Sequence, residues 1–287
     1  MPQNIALVFT YERAEFLHEC LRRIFAAEGS QDLDVFVCVD NHPEVPADPE
    51  IVPIIWYYQA KHNNLRYTLR QPHEFYGSTF NAMMGYREAW NREAPYAFII
   101  EDDIMVAPDF FRWHLAVHQQ EKLFASVASR CCRWAEMTAW TGAADYIVSA
   151  ADYSPWGVCL PRESIGLINS HAHEKYFENQ AGYLRQYLPN ERWGDTVTEH
   201  DGLCHRQMLA VNGSCAFPCV PRAFHTGTYG YHRMDGKPLG VSLPERIVNL
   251  QKMITDPKFG EVHQDYHTVK EVGPWSEVRC VKRFEEV

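Results

Sequence analysis

At 287 residues the chain can form one large α/β domain, and 46% hydrophobic with 22% charged residues is ordinary globular composition. A formal net charge of −10, from 37 acidic and 27 basic residues, argues against a surface built mainly to neutralise nucleic-acid phosphates. No apolar run approaches the roughly 18 residues of a membrane span, and nine cysteines, an odd number scattered through apolar runs, read as reduced thiols of a cytoplasmic protein.

Residues 5–9 form a short buried strand that opens onto Thr10, Tyr11, Glu12 and Arg13. Dinucleotide fingerprints and P-loops need glycines at that turn, so both are excluded. Residues 15–27 carry Phe16, Leu17, Leu21, Ile24 and Phe25 on one helical face. Residues 34–39 are a second strand, running into Asp40. Strand, helix and strand at this spacing imply a parallel pair with a right-handed crossover, which places Arg13 and Asp40 on one sheet edge. A proline-rich loop over 42–53 follows. Residues 54–58 and 65–69 are expected as short strands, the second at an edge. The polar loop 73–81 then leads into a helix through Met83, Met84, Tyr86, Ala89 and Trp90.

The most informative stretch is 96–111, YAFIIEDDIMVAPDFF, where a buried strand ends at Glu101, Asp102 and Asp103. Ligands of open α/β sheets sit beyond the carboxyl ends of the strands, and an acid there suits a cation. A helix capped by Asp109 is expected to about residue 122. It carries His114 and His118, one turn apart, but lacks the Glu of a zincin motif, so a packed or solvated pair is expected. Cys131 and Cys132 likewise complete no metal spacing. Residues 125–151 are strand-like, and Trp156-Gly157 enters another strand, either as a sugar platform or as core. Two short helices are expected over 162–188, with His171 and His173 as surface or capping residues. Asp195, Glu199 and Asp201 precede a helix over 202–209 and are either caps or a second acid cluster. A strand over 215–224, a Gly-rich loop over 225–236 of the kind that closes over ligands, a helix over 243–254 and a last strand over 278–284 complete the chain.

On these residues the chain resembles the GT-A nucleotide-sugar glycosyltransferases, and most specifically the β-1,2-N-acetylglucosaminyltransferase I family. The segment Glu101 to Phe111 carries the closest match; Tyr11-Glu12-Arg13, Val39-Asp40, Trp156-Gly157 and Asp201 match more loosely, as do Cys215, Pro218 and Arg222 leading to Gly227 and Gly230. The resemblance implies a GT-A, Rossmann-like mixed and mainly parallel sheet flanked by helices, in a single domain. Residues 1–106 would be its nucleotide-sugar-binding half and 107–287 its acceptor-binding and catalytic half. It implies Asp103 as the ligand of Mn²⁺ or Mg²⁺, with Thr10, Arg13, Asp40, Glu101, Asp102, Trp156 and Gly157 around the donor and Asp201 or Glu199 as catalytic base. The family's membrane anchor and disulfides are not expected here, since no apolar run is long enough and the cysteines read as reduced, and its Ser and Gln positions are absent from the last loop.

Residue chemistry and resemblance agree on inverting transfer of a hexosyl or N-acetylhexosaminyl group from a UDP-sugar to an acceptor hydroxyl. The acceptor would be a glycan or small molecule rather than nucleic acid. Two rivals use the same pattern: a non-catalytic nucleotide- or glycan-binding domain, and a GT-A enzyme that glycosylates a nucleic-acid base or a small molecule.

Overall fold

The computed structural model describes residues 2–44, 46–71, 74–129, 146–190, 199–218, 221–227 and, for the backbone, 278–282. Residues 228–236 of the expected loop over 225–236, the helix over 243–254, the Cys131-Cys132 pair and Asp195 lie outside them.

The apolar run after the N-terminus forms β1 (Asn4–Thr10), followed by α1 (Ala14–Ala26) and β2 (Leu33–Val39). Next come α2 (Ile51–Gln59), β3 (Leu65–Leu69), α3 (Ser78–Asn91), β4 (Tyr96–Glu101) and β5 (Ile104–Val106). The second half holds α4 (Phe110–Gln120), β6 (Ala125–Val127), β7 (Tyr146–Ser149), β8 (Val158–Pro161), α5 (Arg162–Asn169), α6 (Glu174–Glu178), α7 (Gln180–Tyr187) and α8 (His200–Ala210). It ends with β9 (Cys215–Pro218), β10 (Ala223–His225) and β11 (Val278–Lys282).

Among the described residues nine strands form one mixed sheet in the order β11-β7-β9-β6-β8-β4-β1-β2-β3, and β5 pairs with β10 in a small second sheet. The run β3-β2-β1-β4 is parallel throughout, so the carboxyl ends of these strands share one edge. The expected α/β class, parallel crossover and edge position of β3 are therefore all present.

Alternation along the strands builds a core on each face of the sheet. In β1, Ile5, Leu7 and Phe9 join Met83 and Tyr86 of α3, Ile165 of α5 and Leu203 of α8. Ala6 and Val8 point the other way, to Phe16 and Leu17 of α1, Ile51 and Ile55 of α2, and Phe110 of α4. Helices therefore cover both faces, as a parallel run of strands requires.

Four local expectations need correction. Residues 54–58 are helical, not a strand: the β-branched text sits in the β2-to-β3 crossover, Ile51, Ile55 and Tyr58 recur at helical spacing on the buried side, and Pro53 falls in the first turn, where no backbone donor is missed. Asp109 stands at the start of α4 without a side-chain cap bond and pairs with Arg222 at 2.9 Å instead. Residues 162–188 form three helices. The text of 215–224 divides into β9 and β10, which belong to different sheets.

His114 and His118 of α4 are packed, not ligating. His114 is fully buried, its Nδ1 2.6 Å from Ser126 Oγ, and burial pushes its pKa well below the ordinary 6.5. The His118 ring lies beside Tyr96, and desolvation lowers its pKa to about 4. Both rings bind a proton more readily in the unfolded chain, so their contribution to stability is complete above pH 6.5 and is lost as pH falls below it. We expect chemical denaturation curves to show a loss on the order of 1 kcal/mol per pH unit for each ring between about pH 6 and 4.5, smaller in His118→Gln.

Candidate active site

The C-terminal ends of β1, β2 and β4 carry the candidate side chains. Phe9 is in register with Glu101, and Thr10 with Val39. Just past the ladder, the Asp102 amide donates to the Phe9 carbonyl and the Asp40 amide to the Thr10 carbonyl, both at 2.9 Å. β1 therefore holds an acid on either side of its end.

Asp102 and Asp103 are 1% and 3% exposed, so their charges need compensation inside the protein. Arg13, from the turn between β1 and α1, supplies it. One guanidinium nitrogen bonds Asp102 Oδ1 and the other lies 2.6 Å from Asp103 Oδ2. Thr10 Oγ1 donates to Asp102 Oδ2 at 2.8 Å. Burial works against the Arg13 charge, but the two carboxylates outweigh it and raise its pKa. Asp102 is raised, chiefly by burial. Asp103 is as deeply buried, but His225 and Arg13 together hold it ionised, well below the usual carboxylate range. Asp40 is raised by burial, opposed by backbone hydrogen bonds from Asn41 and Gly77.

The β5–β10 pairing sets Ile104 opposite His225 and brings the next loop onto Asp103. Thr226 donates its amide and its hydroxyl to the Asp103 carbonyl, each at 2.8 Å. His225 Nε2 lies 3.4 Å from Asp103 Oδ2, and the His225 ring stacks on Trp156 at 4.7 Å between centroids, 9° from parallel. A Cβ on Gly227 would come within 2.5 Å of Asp103 Oδ2, so only glycine lets this backbone approach the acid. Gly157 has φ +69°, and a Cβ there would meet Phe110, Ala128 and Ala223 at 3.0–3.2 Å. Its backbone role is therefore to let Trp156 pass into β8.

Glu101 faces the second half of the domain. Its Oε1 is 3.8 Å from His200 Nε2, and His200 Nδ1 is 3.1 Å from the hydroxyl of the fully buried Tyr86. Burial disfavours a charge on His200, yet Glu101, Asp201 and Glu199 together raise its pKa. This contact carries the start of α8, with Glu199 and Asp201, to the acid edge. Asp201 Oδ1 accepts from the Gly202 amide at 2.8 Å.

The structure thus gathers Thr10, Arg13, Asp102, Asp103 and Trp156 at one point, sets Glu101 against α8, and leaves Asp40 one strand away. His225 was expected only as the head of the Gly-rich loop over 225–236, without a named partner. His200 and Tyr86 were not among the expected site residues and needed the tertiary contact to show. Asp103 Oδ1, buried without a hydrogen-bond partner among the described residues, is an oxygen donor of the kind a hard divalent cation takes, and His225 stands beside the same carboxylate. No group of three or more potential metal-ligating side chains occurs among the described residues.

Residues 2–154, just over half of the chain, match the family described as "Glycosyltransferase like family 2". The chain belongs to that family. No curated protein matches it in sequence. Among solved structures, TarS 1–349 of S. aureus in complex with UDP-GlcNAc is 12% identical, with a TM-score of 0.53 over 87% of this chain and 66% of that one. The mannosyltransferase PcManGT from Pyrobaculum calidifontis, in complex with GDP-Man and Mn²⁺, is 16% identical, with a TM-score of 0.48 over 89% and 65%. The likeness to TarS shows a shared GT-A fold. This family 2 chain spans just under two thirds of the length of those two structures. The narrower likeness to β-1,2-N-acetylglucosaminyltransferase I finds no support among these matches. No helix among the described residues is long and apolar enough to cross a membrane.

Arg13→Met would leave two adjacent buried carboxylates without their cation. Urea denaturation is expected to show a loss of about 3 kcal/mol or more, partly recovered when Asp102→Asn is added. An additive double mutant would show that the guanidinium does not neutralise the pair.

Proposed function

We propose that the chain is a metal-dependent inverting glycosyltransferase that moves a sugar from a nucleoside-diphosphate donor, with UDP as the nucleotide, to an acceptor hydroxyl. The observation that carries this reading is the convergence of Asp102, Asp103, Arg13 and His225 at the carboxyl edge of a family 2 sheet. A divalent cation such as Mn²⁺ with UDP-GlcNAc, or with another hexosyl donor, accords with the carboxylate oxygens here, and TarS, which shares the fold, is solved in complex with UDP-GlcNAc.

In this reading residues 1–106 hold the nucleotide and 107–287 the acceptor. Thr10 and Asp40, at the ends of β1 and β2, face the nucleoside. Asp103 and His225 would hold the cation, which when bound offsets charge on the diphosphate leaving group. Arg13 fixes Asp102 and Asp103 in place and adds positive charge beside the phosphates. Trp156, braced by His225, and Gly157 shape the wall next to the sugar. Glu101, held toward α8 by His200, contacts the sugar or the acceptor.

On the acceptor side the base must be an acid that is not already neutralised by Arg13. Asp201, with Glu199 as the second candidate, lies at the start of α8 within electrostatic reach of His200. It would take the proton from the acceptor hydroxyl as that oxygen attacks the anomeric carbon.

Calorimetry with UDP and Mn²⁺, together with donor-consumption assays, tests the assignment. Asp103→Asn is expected to abolish metal-dependent UDP binding. Asp201→Asn should bind UDP as the wild type does and lose transfer by about two to four orders of magnitude. Wild-type UDP affinity in Asp103→Asn would overturn the metal assignment, and undiminished transfer in Asp201→Asn would pass the base role to Glu199.

A further inference from the structure

Between the two halves lies a cavity of about 210 Å³ lined by Glu74, Phe75, Tyr76, Phe80, Phe177 and Gln180. The first four residues come from the loop into α3 and from α3 itself, the last two from α6 and α7. Phe177 meets Phe80 edge-on at 5.0 Å and Phe75 at 5.4 Å, and Phe75 lies 6.1 Å from Phe80. Tyr76 is 46% exposed and turns its ring edge to His42.

The position of the cavity ties it to the acid edge on both sides. On one side the loop is anchored to β2 through the Gly77 amide, which donates to the Asp40 carboxylate. On the other, Tyr176 precedes Phe177 in α6. Tyr176 shares a buried cluster with Leu203 and Cys204 of α8, so α6 packs beside the helix that carries Asp201. A ligand here would sit between the nucleoside end of the site and the start of α8.

The lining narrows the chemistry. At about 210 Å³ the space is below the roughly 300–1,000 Å³ typical of sites for drug-sized ligands, which leaves room for one ring and not for an oligosaccharide or a nucleotide. Aromatic faces accept the C–H groups of a pyranose, while a carboxylate and a carboxamide accept and donate hydrogen bonds to its hydroxyls. Among the lining residues the only formal charge is the carboxylate of Glu74, which disfavours phosphorylated or carboxylated ligands.

Building on the nucleotide-sugar reading above, we propose that this cavity is an acceptor subsite for a single uncharged pyranose ring, packed against Phe80 and Phe177 and hydrogen-bonded by Glu74 and Gln180. It identifies the acceptor as a neutral glycoside.

Saturation-transfer NMR on the full chain, with methyl glycosides of neutral hexoses as probes and glucose 6-phosphate as the anionic comparison, tests this. UDP with Mn²⁺ is titrated separately. At least one neutral glycoside should bind. Phe177→Ala and the milder Gln180→Ala and Glu74→Ala should each weaken it by about fivefold, with UDP affinity unchanged. A wild type that binds UDP but no neutral glycoside, equal glycoside affinity in the Gln180 and Glu74 variants, or glucose 6-phosphate binding as well as the neutral probes would each overturn the subsite alone. Failure to bind either UDP or any glycoside would overturn the nucleotide reading with it.

Discussion

Two carboxylates that leave water together must find a cation, and here it is Arg13. The bridge from the β1 turn to Asp102 and Asp103 organises the rest of the site: Arg13 offsets the burial of both acids and, with His225, holds Asp103 ionised. It fixes the geometry of three segments distant in sequence: the turn after β1, the end of β4, and the loop after β10, whose Thr226 and Gly227 close on Asp103. The same bridge separates the two acids chemically. Asp102 faces Arg13 and Thr10 and is held chiefly as structure, whereas Asp103 also meets His225 and keeps one buried oxygen unbonded among the described residues.

The two sides of the site are joined by a different kind of contact. Tyr86, in the core under the sheet, and His200, at the start of α8, form a polar line that ends on Glu101. Buried polar groups of this kind are stable only when each has a partner, so the line also sets where α8 can begin. Asp201 and Glu199 flank His200 in the chain, and their charges together with that of Glu101 act on its ring. The acid edge thus rests on strand ends and the Arg13 bridge on one side, and on side-chain contacts to α3 and α8 on the other.

Much of the architecture was legible in the sequence because its signals are local. Five apolar residues ahead of a polar turn, an amphipathic helix and a second apolar run gave β1, α1 and β2, and with them the parallel sheet and its edge. The run over 96–101 gave β4 and its acids. The reading failed where local text and topology disagree. IVPIIWYY has the β-branched content of a strand, but it lies in a crossover between parallel strands, where a helix fits and where its apolar residues bury at spacing 4 and 3. Asp109 has the position of a helix cap, yet Arg222 claims it across the small second sheet.

For the site, the sequence by itself determined which chemistry was available: acids at the end of a buried strand, an arginine after β1, and an aromatic-glycine pair before β8. Residue type and the end of an apolar run suffice for that, because strand ends of a parallel sheet share one edge. Only the tertiary structure decided the partnerships. It made Arg13 the counter-charge of Asp102 and Asp103, brought His225 beside Asp103 through an antiparallel pair more than a hundred residues apart in the chain, and linked Glu101 to α8 through His200. The reason is physical: a buried charge must be matched by whichever group the packing of distant segments brings within a few ångströms, and no spacing along the chain encodes that distance.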